Sequence, residues 1–102
     1  MTSAAEPVFN DVIHSPARLR ICGLLRRVSE LEFSVVRDTL ELTDANLSKN
    51  LTVLAQAEVI TLRKESSPAR SDSRRLTWIS LTSAGRAALE GHLAALSAIA
   101  GE

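Results

Sequence analysis

Leu47, Leu51 and Leu54 recur at i, i+4 and i+7 within residues 43–57, and that spacing obliges one stripe of a helix to be buried. Thr43 followed by Asp44 places a capping oxygen just before the apolar pattern begins. The opposite side of the same helix carries Ala45, Ser48, Lys49, Thr52 and Gln56, with Asn46, Asn50 and Val53 on its flank. An ordinary solvent face is dense in Glu and Lys. This one has small, amide and hydroxyl side chains with a single cation, so it is suited to close approach and hydrogen bonding against another surface. Two readings follow: a helix that enters the major groove of a DNA duplex, or a core helix with a mildly polar back. The neighbouring residues decide between them.

Val8-Phe9-Asn10-Asp11-Val12-Ile13 pairs Val8 with Val12 and Phe9 with Ile13 at i, i+4, which predicts a short N-terminal helix over 7–15, apolar around much of its girth. Ser15-Pro16 is an N-cap followed by proline at the first helical position. It opens a helix from Pro16 to about Val28, with Leu19, Ile21, Cys22, Leu24, Leu25 and Val28 inward and a basic exterior of Arg18, Arg20, Arg26 and Arg27. Ser29-Glu30-Leu31-Glu32 reads as a polar break. Phe33 to Leu40 forms a third helix through Phe33, Val36 and Leu40, and Glu41-Leu42-Thr43 is a short turn. A short helix, a tight turn and a helix with a small polar outer face is the helix-turn-helix pattern, here over 33–57.

After Ala57 the periodicity changes. Glu58 to Leu62 is β-branched and alternating, and Leu76 to Leu81 is a second strand candidate. Between them, Arg63 to Arg75 holds four serines, Pro68 and most of the local positive charge, and reads as a hairpin loop. Two strands and a basic loop directly after the helix-turn-helix make a wing over 58–81. Thr82 caps a last helix, 83–100, with Leu89, Leu93 and Leu96 in one stripe and Ala88, Ala95 and Ile99 in another. A monomer of 102 residues has little left to cover both stripes and the N-terminal helix. The sequence therefore predicts one domain, 1–102, mainly α (α+β). It is a winged helix-turn-helix with a two-stranded wing, and its N- and C-terminal helices serve as dimerisation elements through Val8, Phe9, Val12, Leu89, Leu93, Leu96 and Ile99; the alternative is that the last helix folds back on its own domain.

The chain carries a formal charge of zero, which argues against indiscriminate binding of polyanions. From Thr61 to Ser80, however, Arg63, Lys64, Arg70, Arg74 and Arg75 face only Glu65 and Asp72, a local patch that favours a selective nucleic-acid contact. Zero net charge also supports the rival reading, a winged helix that binds another protein and never DNA. Cys22 is the only cysteine, so no intrachain disulfide forms and a reducing cytoplasm is the expected location. Its place among Leu and Ile suits a small buried hydrophobe better than a redox switch. One Cys with His14 and His92 cannot furnish a closed thiolate metal site, and no metal or other cofactor is expected. No signal peptide, apolar run of membrane-spanning length, phosphate-cradling Gly loop or nucleophile–base constellation is visible, so neither a membrane association nor an enzyme is expected.

Val12-Ile13-His14-Ser15-Pro16-Ala17-Arg18-Leu19-Arg20-Ile21, then Leu42-Thr43 with Asn46-Leu47-Ser48, and finally Leu81-Thr82-Ser83-Ala84-Gly85-Arg86 occur in that order. In these motifs the chain resembles small bacterial winged-helix transcriptional regulators of the MarR/ArsR type. The resemblance implies a homodimeric, sequence-specific regulator, a repressor in the first instance, with double-stranded DNA as its partner and a pseudo-palindromic operator. It leaves open a small-molecule effector. Relatives of this type often have Gly at the positions of Ala45 and Glu58, His at Asn50 and Pro at Arg75.

The residues expected to reach DNA are Thr43, Ala45, Asn46, Ser48, Lys49, Asn50 and Thr52 on the helix and Arg63, Lys64, Arg70, Arg74 and Arg75 on the wing. An amide bonds bidentately to adenine, Lys reaches guanine, and hydroxyls serve bases or phosphates. Asn46 and Ser48 have a phosphate-only alternative. Ser48 and Thr52 have another, bonding to carbonyls of their own helix. Arg18 and Arg20 either touch the DNA backbone or pair inside the protein. Trp78 is expected to pack against the reading helix.

Overall fold

The computed structural model describes residues 5–66 and 75–101. It comprises α1 (Pro16–Leu25), β1 (Leu31–Glu32), α2 (Phe33–Leu40), α3 (Asp44–Gln56), β2 (Ile60–Ser66), β3 (Arg75–Leu81) and α4 (Ser83–Ile99). The three strands form one antiparallel sheet in the order β1-β3-β2, with Leu62 opposite Ile79, Arg63 opposite Trp78 and Lys64 opposite Thr77.

Local chemistry starts and stops the helices where the sequence indicates. Ser15 Oγ accepts from the Arg18 N–H with Pro16 at the first turn, Thr43 Oγ1 accepts from Asn46 N–H at 3.0 Å, and Thr82 Oγ1 accepts from Gly85 N–H at 2.7 Å. At the C-terminus of α3, Glu58 is left-handed (φ 63°); its N–H bonds the Ala55 carbonyl and that of Val59 bonds Leu54. Glu41 (φ 57°) ends α2 the same way, with Leu42 N–H on the Arg37 carbonyl. Both are Schellman closures, in which a left-handed residue redirects the last carbonyls' bonds and turns the chain sharply.

The core is continuous. Ile21, Cys22 and Leu25 of α1, Val36 of α2, Leu47, Leu51 and Leu54 of α3, Ile60 and Ile79 of the sheet and Leu89 of α4 are all buried together with Ile13 and Val59. Each large aliphatic side chain in this set contributes about 2 kcal/mol by leaving water, so α3 is held by its inner stripe.

Four features differ from the sequence reading. Residues 7–15 are not a helix: residues 5–10 are irregular and a turn follows at 11–13. Their backbone groups are satisfied elsewhere. Val8 N–H bonds the Gly91 carbonyl, Asn10 N–H bonds His92 Nδ1, and Asn10 Oδ1 accepts from Ile13 N–H. Gly91 permits this, because a Cβ there would lie 3.3 Å from the Glu6 carbonyl oxygen. The first helix stops at Leu25 rather than Val28. The polar break contains β1, so the wing sheet has three strands rather than two. Trp78 shares a face with Arg63, opposite to that of the buried Ile79, and so points away from α3.

Candidate nucleic-acid interface

Burial of Leu47, Leu51 and Leu54 turns the other side of α3 outward, and Thr43, Ala45, Ser48, Lys49 and Thr52 are exposed there, with Asn46 half-buried. Lys49 has no ion-pair partner among the described residues. Thr43 spends one lone pair of its hydroxyl as the helix cap, and Thr52 Oγ1 donates to the Ser48 carbonyl at 3.0 Å. The outward hydroxyl of Thr52 is thus partly engaged by its own helix.

Asn50 corrects the expectation. It is only 4 % exposed, because it lies at the edge of the inner stripe and faces α1. Its Oδ1 accepts from Arg18 Nη1 at 2.9 Å, while its Nδ2 donates to the Asn46 carbonyl at 2.9 Å and to Asn46 Oδ1 at 3.1 Å. Arg18 Nε also donates to the Val12 carbonyl at 2.6 Å. Asn50 therefore belongs to the support of the helix rather than its outer surface, and Arg18 is an internal partner. Arg20 likewise donates to the Leu40 carbonyl at 3.1 Å.

The start of α3 is anchored electrostatically. Arg37 Nη1 lies 2.9 Å from Asp44 and its Nε 2.8 Å from Asp38, so the guanidinium is held firmly protonated, by Asp38 first and then Asp44. The same pairing lowers the Asp38 carboxyl below its ordinary value.

The wing lies beside this face. A cleft of about 450 Å³ runs between α2, α3 and the sheet, bringing Ser48 and Thr52 together with Lys64, Thr77, Leu62 and Phe33. Lys64 thus joins the α3 face. Arg63 does not. It sits on the opposite side of the sheet, where Nη2 lies 2.6 Å from Glu30, Nη1 lies 3.2 Å from Glu65, and its guanidinium is 5.6 Å from the centre of the Trp78 ring. Glu30 chiefly, and Glu65 after it, raise the Arg63 pKa, so its charge is already answered within the protein. Arg70 and Arg74 lie outside the described residues, as does the side chain of Arg75 at the start of β3.

The expected dimerisation residues divide. Val8 (61 %), Phe9 (43 %) and Ile99 (70 %) are exposed, and Leu96 is half-buried. Leu89 is fully buried in the protomer's own core, while Val12 and Leu93 pack against that core, so Leu89 has nothing to offer a second copy.

No helix among the described residues is long and apolar enough to cross a membrane, and no group of three or more His, Cys, Asp or Glu among them could hold a metal ion.

The profile of a winged helix DNA-binding domain matches residues 17–100. Among solved structures, a transcriptional regulator homologue from Pyrococcus horikoshii OT3 superposes with a TM-score of 0.78 at 26% identity, over 88% of this chain and 85% of that one. HlyU from Vibrio cholerae N16961 gives 0.59 at 26% identity, over 78% and 77%. The transcriptional repressor BigR from Xylella fastidiosa shares the fold, at 0.62 and 20% identity over 89% and 81%. No curated protein matches the chain.

Proposed function

The chain belongs to the winged helix DNA-binding domain family and is a DNA-binding regulator rather than an enzyme; we propose that it acts in the cytoplasm as a homodimeric repressor on a pseudo-palindromic operator. The observation that carries this reading is the outer face of α3, which the described residues leave uncovered although the helix is firmly seated in the core. In the proposal, Ala45, Asn46, Ser48 and Lys49 enter the major groove, and Thr43, Thr52 and Lys64 contact its walls. Arg70, Arg74 and Arg75 follow the adjacent backbone or minor groove. Two copies joined through Val8, Phe9, Leu96 and Ile99 would set their reading helices about 34 Å apart, one duplex turn. A small-molecule effector has a place in the cleft between α3 and the wing, where it would meet Ser48 and Thr52 and compete with DNA.

Selection of duplexes from a random pool, followed by a salt titration of the enriched site, tests the proposal. Counterion release demands a log–log slope of about −0.9 per phosphate neutralised, and the enriched site should be two-fold symmetric. A protein-interaction module would enrich no sequence and show no slope. Sedimentation of the free protein as a monomer at micromolar concentration would remove the dimer.

A further inference from the structure

The proposed DNA-facing role of α3 leaves open which bases it prefers, and the hydrogen-bond chain behind it bears on one of them. Arg18 is a donor at every nitrogen, so the Asn50 atom 2.9 Å from its Nη1 has to be the amide oxygen. The Asn46 backbone carbonyl is an acceptor only, so the Asn50 atom 2.9 Å from it has to be the amide nitrogen. The two ends agree, which assigns the orientation of Asn50 by chemistry alone. Its second amide hydrogen points at the side chain of Asn46, 3.1 Å away, and the atom receiving it has to be Oδ1. The amide nitrogen of Asn46 is thereby turned away from Asn50, and no acceptor among the described residues takes its hydrogens.

We propose that Asn46 reads guanine through its amide N–H2, and that Asn50, fixed by Arg18, is the positioning residue that gives it this polarity. An asparagine that reads adenine bidentately has to offer its oxygen to the N6 amino group as well as its nitrogen to N7. In Asn46 the bond from the buried Asn50 takes one lone pair of the oxygen and holds that oxygen toward the helix's inner side, so the amide N–H2 is the end turned outward. What remains is a pair of donors, and the major-groove edge with two neighbouring acceptors is that of guanine, N7 and O6. Thymine presents one acceptor and cytosine only a donor. Arg18 also grips the Val12 carbonyl, so the polarity of the reading residue is anchored to the segment ahead of α1.

The test rests on the DNA-binding reading and separates from it. Duplexes are selected with the full chain, with Asn46→Ala, with Asn46→Asp and with Asn50→Asp. The unaltered protein should enrich guanine at one position of each half-site, by about tenfold over the other bases. Asn46→Ala should make that position degenerate and leave the others unchanged. Asn46→Asp keeps an oxygen for Asn50 but replaces the outward donor with an acceptor, so the preference should move to cytosine. Asn50→Asp still accepts from Arg18 but offers Asn46 an acceptor in place of a donor, so the Asn46 amide should turn over, present its oxygen outward and lose the preference for guanine. If Asn50→Asp fails to fold, the exchange Asn46→Asp at the half-buried outer position alone decides. Adenine at the Asn46-dependent position of the unaltered protein, or a pool unaffected by Asn46→Ala, overturns the proposal while leaving DNA binding intact. Enrichment of no duplex by the unaltered protein overturns the DNA-binding reading itself.

Discussion

His92 Nε2 lies 3.2 Å from His14 Nδ1, and the bond that His92 makes through its other ring nitrogen sets which atom of the pair donates. His92 Nδ1 accepts the Asn10 N–H at 3.0 Å, so its proton sits on Nε2 and is donated to His14. The Phe9 ring packs on both, 4.7 Å from His14 and 4.8 Å from His92 between centroids. A proton added to His92 would displace the Asn10 bond. Burial above all, and then the proximity of His14, lower the His92 pKa, with Asp11 acting weakly the other way.

The pH dependence follows in sign. Above the unfolded value of about 6.5 His92 is neutral in both states and its contribution to stability is complete. As pH falls through that value the unfolded chain takes up a proton that the folded chain refuses, so stability declines until the folded pKa is reached. The melting temperature should fall between pH 7.5 and pH 5.5, and the drop should shrink in His92→Gln. An undiminished drop in that variant would place its origin elsewhere.

Glu58 holds a left-handed conformation that costs a side-chain-bearing residue about 1 kcal/mol relative to glycine. Glu58→Gly should stabilise the protein by roughly that amount and raise the melting temperature by about 5 °C. No gain would mean that the Glu58 side chain compensates its backbone.

Two glycines predict opposite outcomes. A Cβ on Gly85 would stand 1.9 Å from the Val59 carbonyl oxygen, which itself accepts the Thr82 N–H at 3.0 Å. Since backbone lies on both sides, Gly85→Ala should cost about 3 kcal/mol. Gly23, inside α1, has nothing within 4 Å of such an atom, and Gly23→Ala should gain about 0.5–1 kcal/mol. Chemical denaturation of both variants checks the pair.

Burial pushes the Cys22 thiol up to about 11, against the opposite pull of the nearby Arg18 charge. At pH 8 the folded protein should therefore react with a soluble disulfide reagent only as fast as it opens. Rapid, stoichiometric labelling without unfolding would contradict this.

Lys49 and Lys64 are the described cations placed on the α3 side without an ion-pair partner. Lys49→Ala with Lys64→Ala should lower affinity for the operator and reduce the salt slope by about two phosphates' worth. Arg63→Ala, whose guanidinium is already paired with Glu30, should leave the slope nearly unchanged.

Local signals were readable without coordinates. The caps Ser15, Thr43 and Thr82 and the apolar spacing of α2, α3 and α4 placed those elements within a residue or two, because caps and periodicity act over one or two turns. The i, i+4 pairing of Val8 with Val12 misled, since a few apolar residues do not nucleate a helix when Gly91 and His92 offer better partners for the backbone.

The residue types and their order thus determined a winged helix with an outward face on α3, for that follows from which stripe has to leave water. Only the tertiary structure decided how the parts are used. Two residues, Leu31 and Glu32, become a strand because β3 has a free edge for them. Arg63 falls on the far side of the sheet by its register opposite Trp78, and there Glu30, thirty-three positions away in the chain, pairs with it. Leu89 turns into its own core, and Asn50 turns inward to Arg18. Each depends on a partner distant in sequence, and such contacts leave no periodic mark on the residues that make them.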